Sequence, residues 1–129
     1  MQVTMGAPGR SLLVVLLFSL PFAALAAKLP IDASYGSKEG CIYAKTGESS
    51  GADDFLLMTP DDIRTSVGFC EYKSLVKTEG NTMTVILSCA AEGEDTNTDF
   101  QADFILTGKK TYDVKFADGT AWGPFKKCE

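Results

Sequence analysis

Four cysteines are the side chains with the clearest chemistry in this sequence: Cys41, Cys70, Cys89 and Cys128. No two of them form a Cys-x-x-Cys pair, and the chain has no histidine. The close-spaced ligands of a structural zinc site and the low-pKa thiol of a redox motif are therefore both missing. An even number of cysteines in a short chain outside the cytosol is typical of disulfide bonds. We expect all four cysteines to form two disulfides.

Four cysteines allow three pairings, and the sequence does not choose between them. The preferred prediction joins Cys41 to Cys70 and Cys89 to Cys128, because each bond would then tie one end of the chain to a central strand. The alternative joins Cys70 to Cys89 across a hairpin. On the chain-entropy account, each closed loop would stabilise the fold by about 3–4 kcal/mol.

The residue types that are missing exclude several catalytic mechanisms. Without histidine, a Ser-His-Asp or Cys-His arrangement cannot be assembled, and the commonest general base near neutral pH is lost. Disulfides would consume the nucleophilic thiols, and no glycine-rich phosphate loop occurs. We predict no catalytic residue, no cofactor and no metal, and hence a protein that is not an enzyme.

One acidic segment leaves carboxylate chemistry open. Its acids are Glu92, Glu94, Asp95, Asp99 and Asp103. Two carboxyls at a set separation can hydrolyse a glycoside, so a carboxylate-dependent hydrolase stays as the last-ranked alternative. Residues 95–99 also have the opening rhythm of a calcium loop, but Phe100 and Leu106 stand where that loop needs glycine and glutamate. We favour a solvated acidic edge that discourages association between strands.

Residues 1–27 have the composition of a secretory signal peptide. Arg10 is their only charged residue, an apolar run follows it, and Ala24 and Ala26 supply small residues before a cleavage site. The apolar run is about 15 residues, shorter than the roughly 20 that a membrane span needs, so we expect cleavage rather than anchoring. The sequence thus predicts a periplasmic protein, with full secretion as the alternative.

The rest of the chain is acidic. Because Arg10 is the only charged residue before Lys28, residues 28–129 carry 11 bases and 17 acids, a net charge of −6. Nucleic acid and anionic lipid both need a basic face, and nothing after Ala27 is long and apolar enough to span a membrane. We expect a partner that is another protein or an envelope component. The oligomeric state stays open.

A period of two in the apolar residues predicts half-buried strands. It is clearest in residues 99–106, where Phe100, Phe104 and Leu106 share one face. The predicted strands span residues 41–45, 54–59, 63–77, 82–93, 98–107, 111–117 and 122–128. Turn residues separate them, with residues 28–38 as a loose lead. The prediction is an all-β antiparallel meander that closes into a small barrel, a single domain of residues 28–129.

The aromatic residues at strand period are expected in the core of that barrel. They are Phe100, Phe104, Tyr112 and Phe116. Trp122 has two open roles, a plug at one barrel end or an exposed anchor for a partner. The loops at residues 47–54 and 93–98 are the natural contact surfaces.

A family resemblance rests on the order of the cysteines, the Thr59-Pro60-Asp61-Asp62 turn and the Cys-x-x-Glu-Gly-Glu run that begins at Cys89. Over residues 41–128 the chain resembles a loose group of small exported four-cysteine proteins of alphaproteobacteria, mostly of unknown function. The resemblance implies an envelope location and a β fold. It carries over no activity and no catalytic residue.

The functional prediction is a non-enzymatic periplasmic barrel that binds another protein or an envelope component. Its charge of −6 would steer it towards a cationic partner, for example a basic hydrolase such as a lysozyme that it inhibits. The alternative is a lipocalin-like carrier of a small apolar ligand. Eight-stranded barrels are just large enough for such a ligand, but the seven short strands expected here favour a filled interior.

Overall fold

The computed structural model describes Gly6, residues 27–91 and residues 93–129. The predicted signal peptide, residues 1–27, lies outside the described residues except for Gly6 and Ala27. In this described part of the chain, no helix is long and apolar enough to cross a membrane.

Eight strands and one short helix form the described fold. The helix α1 spans Lys38–Thr46. The strands are β1 Tyr35–Gly36, β2 Leu56–Met58, β3 Asp62–Thr65, β4 Gly68–Glu79, β5 Thr82–Ala91, β6 Thr98–Thr107, β7 Thr111–Phe116 and β8 Ala121–Lys127. Each strand pairs antiparallel with the next, and β1 also pairs with β8. The predicted all-β meander that closes into a barrel is confirmed.

The central interior of the barrel is filled with side chains. Alternation along each strand turns one set of residues inwards: on β6, Ala102 and Phe104 are buried while Gln101 is exposed. The largest side chains that are less than 2 % exposed are Met58, Ile63, Cys70, Tyr72, Val85, Leu87, Phe104, Val114 and Phe125. Because these residues come from seven of the eight strands, the barrel closes around a continuous core.

One end of the barrel is sealed by the chain itself and is called the closed end below. It consists of residues 27–34, the β2–β3, β4–β5 and β6–β7 turns, and residues 128–129. Leu29 is 3 % exposed and belongs to the core, and its N–H donates to the Pro60 carbonyl at 2.9 Å. Ile31 and Ala33 pack against the same core. The prediction of residues 28–38 as a loose lead is therefore wrong.

Residues 41–45 belong to α1 and not to a strand as predicted. The helix begins because the Ser37 hydroxyl accepts a hydrogen bond from the Gly40 N–H at 3.1 Å, and it ends at Gly47, which has a φ of 74°. Gly40 faces β2, where a Cβ would lie 1.8 Å from the Leu56 carbonyl oxygen. Only glycine lets the helix approach the barrel this closely.

The predicted strand over residues 63–77 is interrupted. A turn at Ser66 and Val67 divides it into β3 and β4, which then pair with each other with Ile63 opposite Cys70. The Thr65 hydroxyl accepts a hydrogen bond from the Val67 N–H at 3.3 Å. A threonine side chain thus supports a turn that has none of the usual glycine or proline signals in its two central residues.

Two disulfides are present, but the preferred pairing is wrong. The bonds join Cys41 to Cys128 and Cys70 to Cys89, so the alternative bond across a hairpin is confirmed. The physical reason is closure of the barrel: β1 lies beside β8, which makes the two ends of the folded domain neighbours. A pairing that ties each end to a central strand ignores this proximity.

Two β-bulges bring the second pair together. The register of β4 against β5 shifts after Tyr72 and again after Leu75, which places Cys70 opposite Cys89 with a Cα–Cα distance of 4.0 Å. If the register at the Gly80 turn continued without these shifts, Cys70 would face Ala91 instead. The bulges therefore determine the cysteine pairing as well as the twist of the barrel.

Candidate functional site

The end of the barrel opposite the closed end is called the open end below. Four connections surround it: residues 47–55 after α1, the β3–β4 turn at 66–67, the β5–β6 loop at 92–97 and the β7–β8 turn at 117–120. Between the last three, a cavity of about 400 Å³ opens towards solvent. We call this cavity the cup.

The cup has a sulfur base and an aromatic wall. Its inner part is lined by the Cys70–Cys89 disulfide, which β4 and β5 hold across the hairpin. The aromatic residues around it are Phe69, Phe100, Phe116 and Trp122. The filled core lies beyond the disulfide, so the cup is a depression in the barrel mouth and not a channel.

Three of these aromatic rings contact one another edge to face. Phe116 lies between the other two, with ring centroids 6.2 Å from Phe100 and 4.6 Å from Trp122 and interplanar angles of 90° and 70°. Such T-shaped pairs are favourable because the positive edge of one ring meets the negative face of the next. The wall therefore holds its shape without a bound partner, and Phe100 is still 39 % exposed.

The connections around the open end carry acids and no bases. Their acids are Glu48, Asp53, Asp54, Glu92, Glu94, Asp95 and Asp118. Two of these, Glu94 and Asp118, line the cup itself. The Thr120 N–H donates to the Asp118 carboxylate at 2.8 Å, and this hydrogen bond lowers the pKa of Asp118. The edge of the cup is therefore negatively charged at neutral pH.

The acidic segment singled out in the sequence is divided in the structure. Asp99 forms an ion pair with Lys73, and Asp103 accepts a hydrogen bond from the Thr84 hydroxyl at 2.8 Å. Only Glu94 reaches the cup, and Glu92 lies outside the described residues. Within residues 27–91 and 93–129, no three His, Cys, Asp or Glu side chains come together as a metal site would require.

A second groove beside the open end is built around Arg64. Its guanidinium lies 6.0 Å from the ring centre of Tyr43 and 5.1 Å from that of Phe69. It also donates to the Asp62 carboxylate at 3.1 Å, and this hydrogen bond raises the pKa of Arg64. Because the guanidinium already has these partners, we interpret the role of Arg64 as structural: it joins α1 to the β3–β4 hairpin.

Comparison with protein-family models, with curated proteins and with solved structures found no match to this chain. The function must therefore be argued from the site itself.

The sequence did not predict the cup. Phe116 packs against the core, in keeping with its predicted place there, whereas Phe100 is 39 % exposed and its predicted place in the core is wrong. Trp122 is at a barrel end, half-buried against Phe116, so it lines the cup instead of standing alone as an anchor. The signal that could have located the site is the acids in three of the four connections that meet at one end, because alternate hairpins meet at the same end of a barrel.

Proposed function

We propose that this protein is a non-enzymatic binding protein of the cell envelope that holds another protein at the open end of its barrel. The observation that carries the proposal is the cup, an aromatic depression bordered by acids at the end of a filled barrel. Protein interfaces are typically built in this way, with a desolvated aromatic centre and a polar rim.

The surroundings of the cup support a protein partner. Val67 is 67 % exposed and Phe100 is 39 % exposed, and both line the cup. Exposed apolar side chains grouped around one depression mark an interaction surface more often than scattered ones do. A partner that covers Val67 and Phe100 would bury apolar area that the open end of the barrel leaves exposed to water.

A binding role suits the chemistry of the chain. It has no histidine and its four cysteines are paired. Of the acidic segment, Glu94 lines the cup, whereas Asp99 and Asp103 have partners elsewhere on the barrel. Two disulfides in a small domain are consistent with an extracytoplasmic location. The periplasm remains our proposal for the compartment, on the strength of the predicted signal peptide.

The carrier alternative is confined to the cup. A lipocalin-like carrier keeps an empty interior, whereas here the interior side chains from Met58 on β2 to Phe125 on β8 have no exposed surface. A small apolar ligand would have to lie within the 400 Å³ at the mouth. It would also lie beside Glu94 and Asp118, whose carboxylates gain no hydrogen bond from an apolar molecule.

A finer form of the proposal is inhibition of a basic hydrolase. The acids of the open end would steer the protein to a cationic enzyme and then cover its cleft. We expect inhibition that weakens as salt rises, because screening shortens the range of the attraction. Unchanged hydrolase activity at excess protein would contradict the inhibitor proposal. The broader binding role is tested by the experiment below.

The binding role is tested by capture from an envelope extract of the cells that make the protein. The bait proteins are the oxidised wild type, Phe100→Ser at the open end, and Val76→Ser as the matched control. Val76 is 55 % exposed on the half of β4 that leads to the closed end. We expect the same protein partner on wild type and on Val76→Ser, and a loss of about tenfold or more on Phe100→Ser. Equal capture by all three, or retention of a small molecule alone, contradicts the proposal.

A further inference from the structure

We infer that the cup receives a single cationic side chain, a lysine or an arginine, from a basic protein partner, which stacks on the aromatic wall while Glu94 and Asp118 face its charge. The inference rests on the proposed function and names the chemistry that the binding site recognises.

The cup has ample room for one side chain. Its 400 Å³ lies within the roughly 300–1,000 Å³ that drug-sized ligand sites occupy, so a lysine or arginine side chain enters it together with the partner atoms that adjoin that side chain. The apolar stems of lysine and arginine pack well against hydrocarbon or sulfur, while the charged head group stays near polar groups. The Cys70–Cys89 disulfide and the aromatic wall supply the apolar contact, and the border of the cup supplies the polar groups.

The aromatic wall is the element that favours a cation. A ring attracts a positive charge over its face, and tryptophan does so most strongly. Phe116 stands nearly perpendicular to both Phe100 and Trp122, so the wall presents ring faces in more than one direction. Arginine fits such a wall better than lysine, because its planar group stacks on rings and is weakly hydrated.

The charge of the open end excludes the other occupants that an aromatic cup could accept. Three of its four connections hold acids and none holds a base, so an anionic lipid or a carboxylate would be repelled. A second copy of this chain would bring the same acids face to face with these. A neutral apolar group gains nothing from Glu94 and Asp118. A lysine or arginine that projects from a basic surface can stack on the aromatic wall and also pair with the Glu94 and Asp118 carboxylates.

Trp122 makes the inference directly measurable, because it is the only tryptophan of the chain and lines the cup. The probes are blocked tripeptides, acetyl-Gly-X-Gly-amide, in which X is arginine, lysine, norleucine or glutamate. Each is titrated into the oxidised protein at low salt while Trp122 emission is followed. We expect saturable shifts with arginine and lysine at millimolar concentrations. Norleucine should bind about tenfold more weakly, and glutamate should have no effect.

Charge-neutral variants separate the acids from the fold. Glu94→Gln removes one charge at the cup, and Asp118→Asn removes the other while an amide oxygen can still accept from Thr120. The matched control is Glu79→Gln at the closed end, where Glu79 is exposed and paired with Lys77. Each cup variant should weaken the arginine peptide about three- to fivefold at low salt, and the control should leave it within about twofold.

The outcomes distinguish this inference from the proposed function. If norleucine binds as tightly as arginine, the cup recognises apolar groups, and the cationic inference is overturned. If no peptide shifts Trp122 emission, or if Glu94→Gln and Asp118→Asn bind arginine as the wild type does, it is overturned as well. In each of these cases the proposed function stands or falls separately, by whether Phe100→Ser loses the captured partner.

Discussion

The two ends of the barrel are built for different tasks. At the closed end, residues 27–34 cross the opening, and Leu29 enters the core that the strands surround. At the open end, the same meander leaves an aromatic depression exposed, with the Cys70–Cys89 disulfide inside it. At the closed end the chain buries its own apolar surface. At the open end apolar surface stays exposed and can be buried by a partner. The comparison suggests that stability and binding are carried by separate residues.

The charges differ in the same way. The connections of the closed end carry three acids, Asp32, Asp61 and Glu129, and three bases, Lys28, Lys109 and Lys110. Two ion pairs, Lys28–Asp61 at 3.3 Å and Lys127–Asp32 at 3.5 Å, lie there. The connections of the open end hold only acids, and Arg64 in the groove beside them is already paired with Asp62. The field around the molecule is therefore uneven, and it would turn the cup towards a cationic surface during an encounter.

The largest effect on stability is expected from the disulfide that holds the two ends of the domain. Replacing Cys41 and Cys128 together with alanine removes a bond that spans 87 residues, and the chain-entropy account gives a loss of about 4–5 kcal/mol in unfolding free energy. Urea unfolding monitored by circular dichroism measures it. A loss below about 2 kcal/mol would show that the closed end is held by other contacts.

Leu29→Ala should have the next largest effect, about 2–4 kcal/mol, because it empties a buried position at the closed end. The matched change at the open end is Val67→Ala. Val67 is 67 % exposed, so we expect a change within about 0.5 kcal/mol. Parallel denaturant curves measure the pair. Similar losses of unfolding free energy at both positions would contradict the idea that one end stabilises the fold and the other end binds.

Alkaline pH should weaken the closed end through Tyr72. Its buried hydroxyl oxygen lies 2.8 Å from the carbonyl oxygens of both Thr59 and Asp62, which share its single proton. Burial, with the nearby Asp62 and Asp61 carboxylates, raises the pKa of Tyr72. A raised pKa means that the contribution is complete below the ordinary tyrosine value of about 10 and is lost as pH rises above it. Unfolding free energy should therefore fall by up to about 1.4 kcal/mol per pH unit above 10.

The variant Tyr72→Phe provides the control for this alkaline loss. It should be about 1–3 kcal/mol less stable at neutral pH, because the Thr59 carbonyl loses the Tyr72 hydroxyl as donor while the Asp62 carbonyl keeps the Thr59 N–H. Its stability should also depend less on pH above 10 than that of the wild type. Identical slopes for the two proteins would assign the loss to other tyrosines.

Truncation of the aromatic wall of the cup is expected to cost less stability than the changes at the closed end. Phe100→Ser truncates a side chain that is already 39 % exposed, and we expect a loss of about 1 kcal/mol in thermal or urea unfolding. The same variant should lose its captured partner. A loss above about 3 kcal/mol would mean that the aromatic wall is part of the core, and that its exposure has no separate purpose.

Strand pattern and closure could be predicted because they depend on local alternation. In β6, Ala102 and Phe104 alternate with Gln101 and Asp103 without a break, and the predicted bounds of residues 98–107 agree with the structure. Predicted β2, β5, β7 and β8 agree within two residues at each end. The alternation of side chains along a strand does not depend on which strand lies next to it, so it can be recognised without knowing the topology.

The features that failed depend on contacts far along the chain. The helix α1 has cap signals at Ser37 and Gly47, but a nine-residue helix is marginal by itself. Its close approach to Leu56 and the Cys41–Cys128 disulfide hold it against the barrel. The register shifts after Tyr72 and Leu75 have no sequence signature, yet they decide which cysteines meet. The cup could not be predicted either, because aromatic residues at strand period look the same in a core and at its mouth.

The most direct test of the claim that binding takes place at the open end is site-specific crosslinking in the cells that make the protein. A photo-reactive amino acid is placed either at Val67, beside the cup, or at Val76, on the half of β4 that leads to the closed end; both side chains are more than half exposed. The account predicts a discrete protein adduct from position 67 and none from position 76. Adducts of equal yield from both positions, or an adduct from position 76 alone, would contradict it.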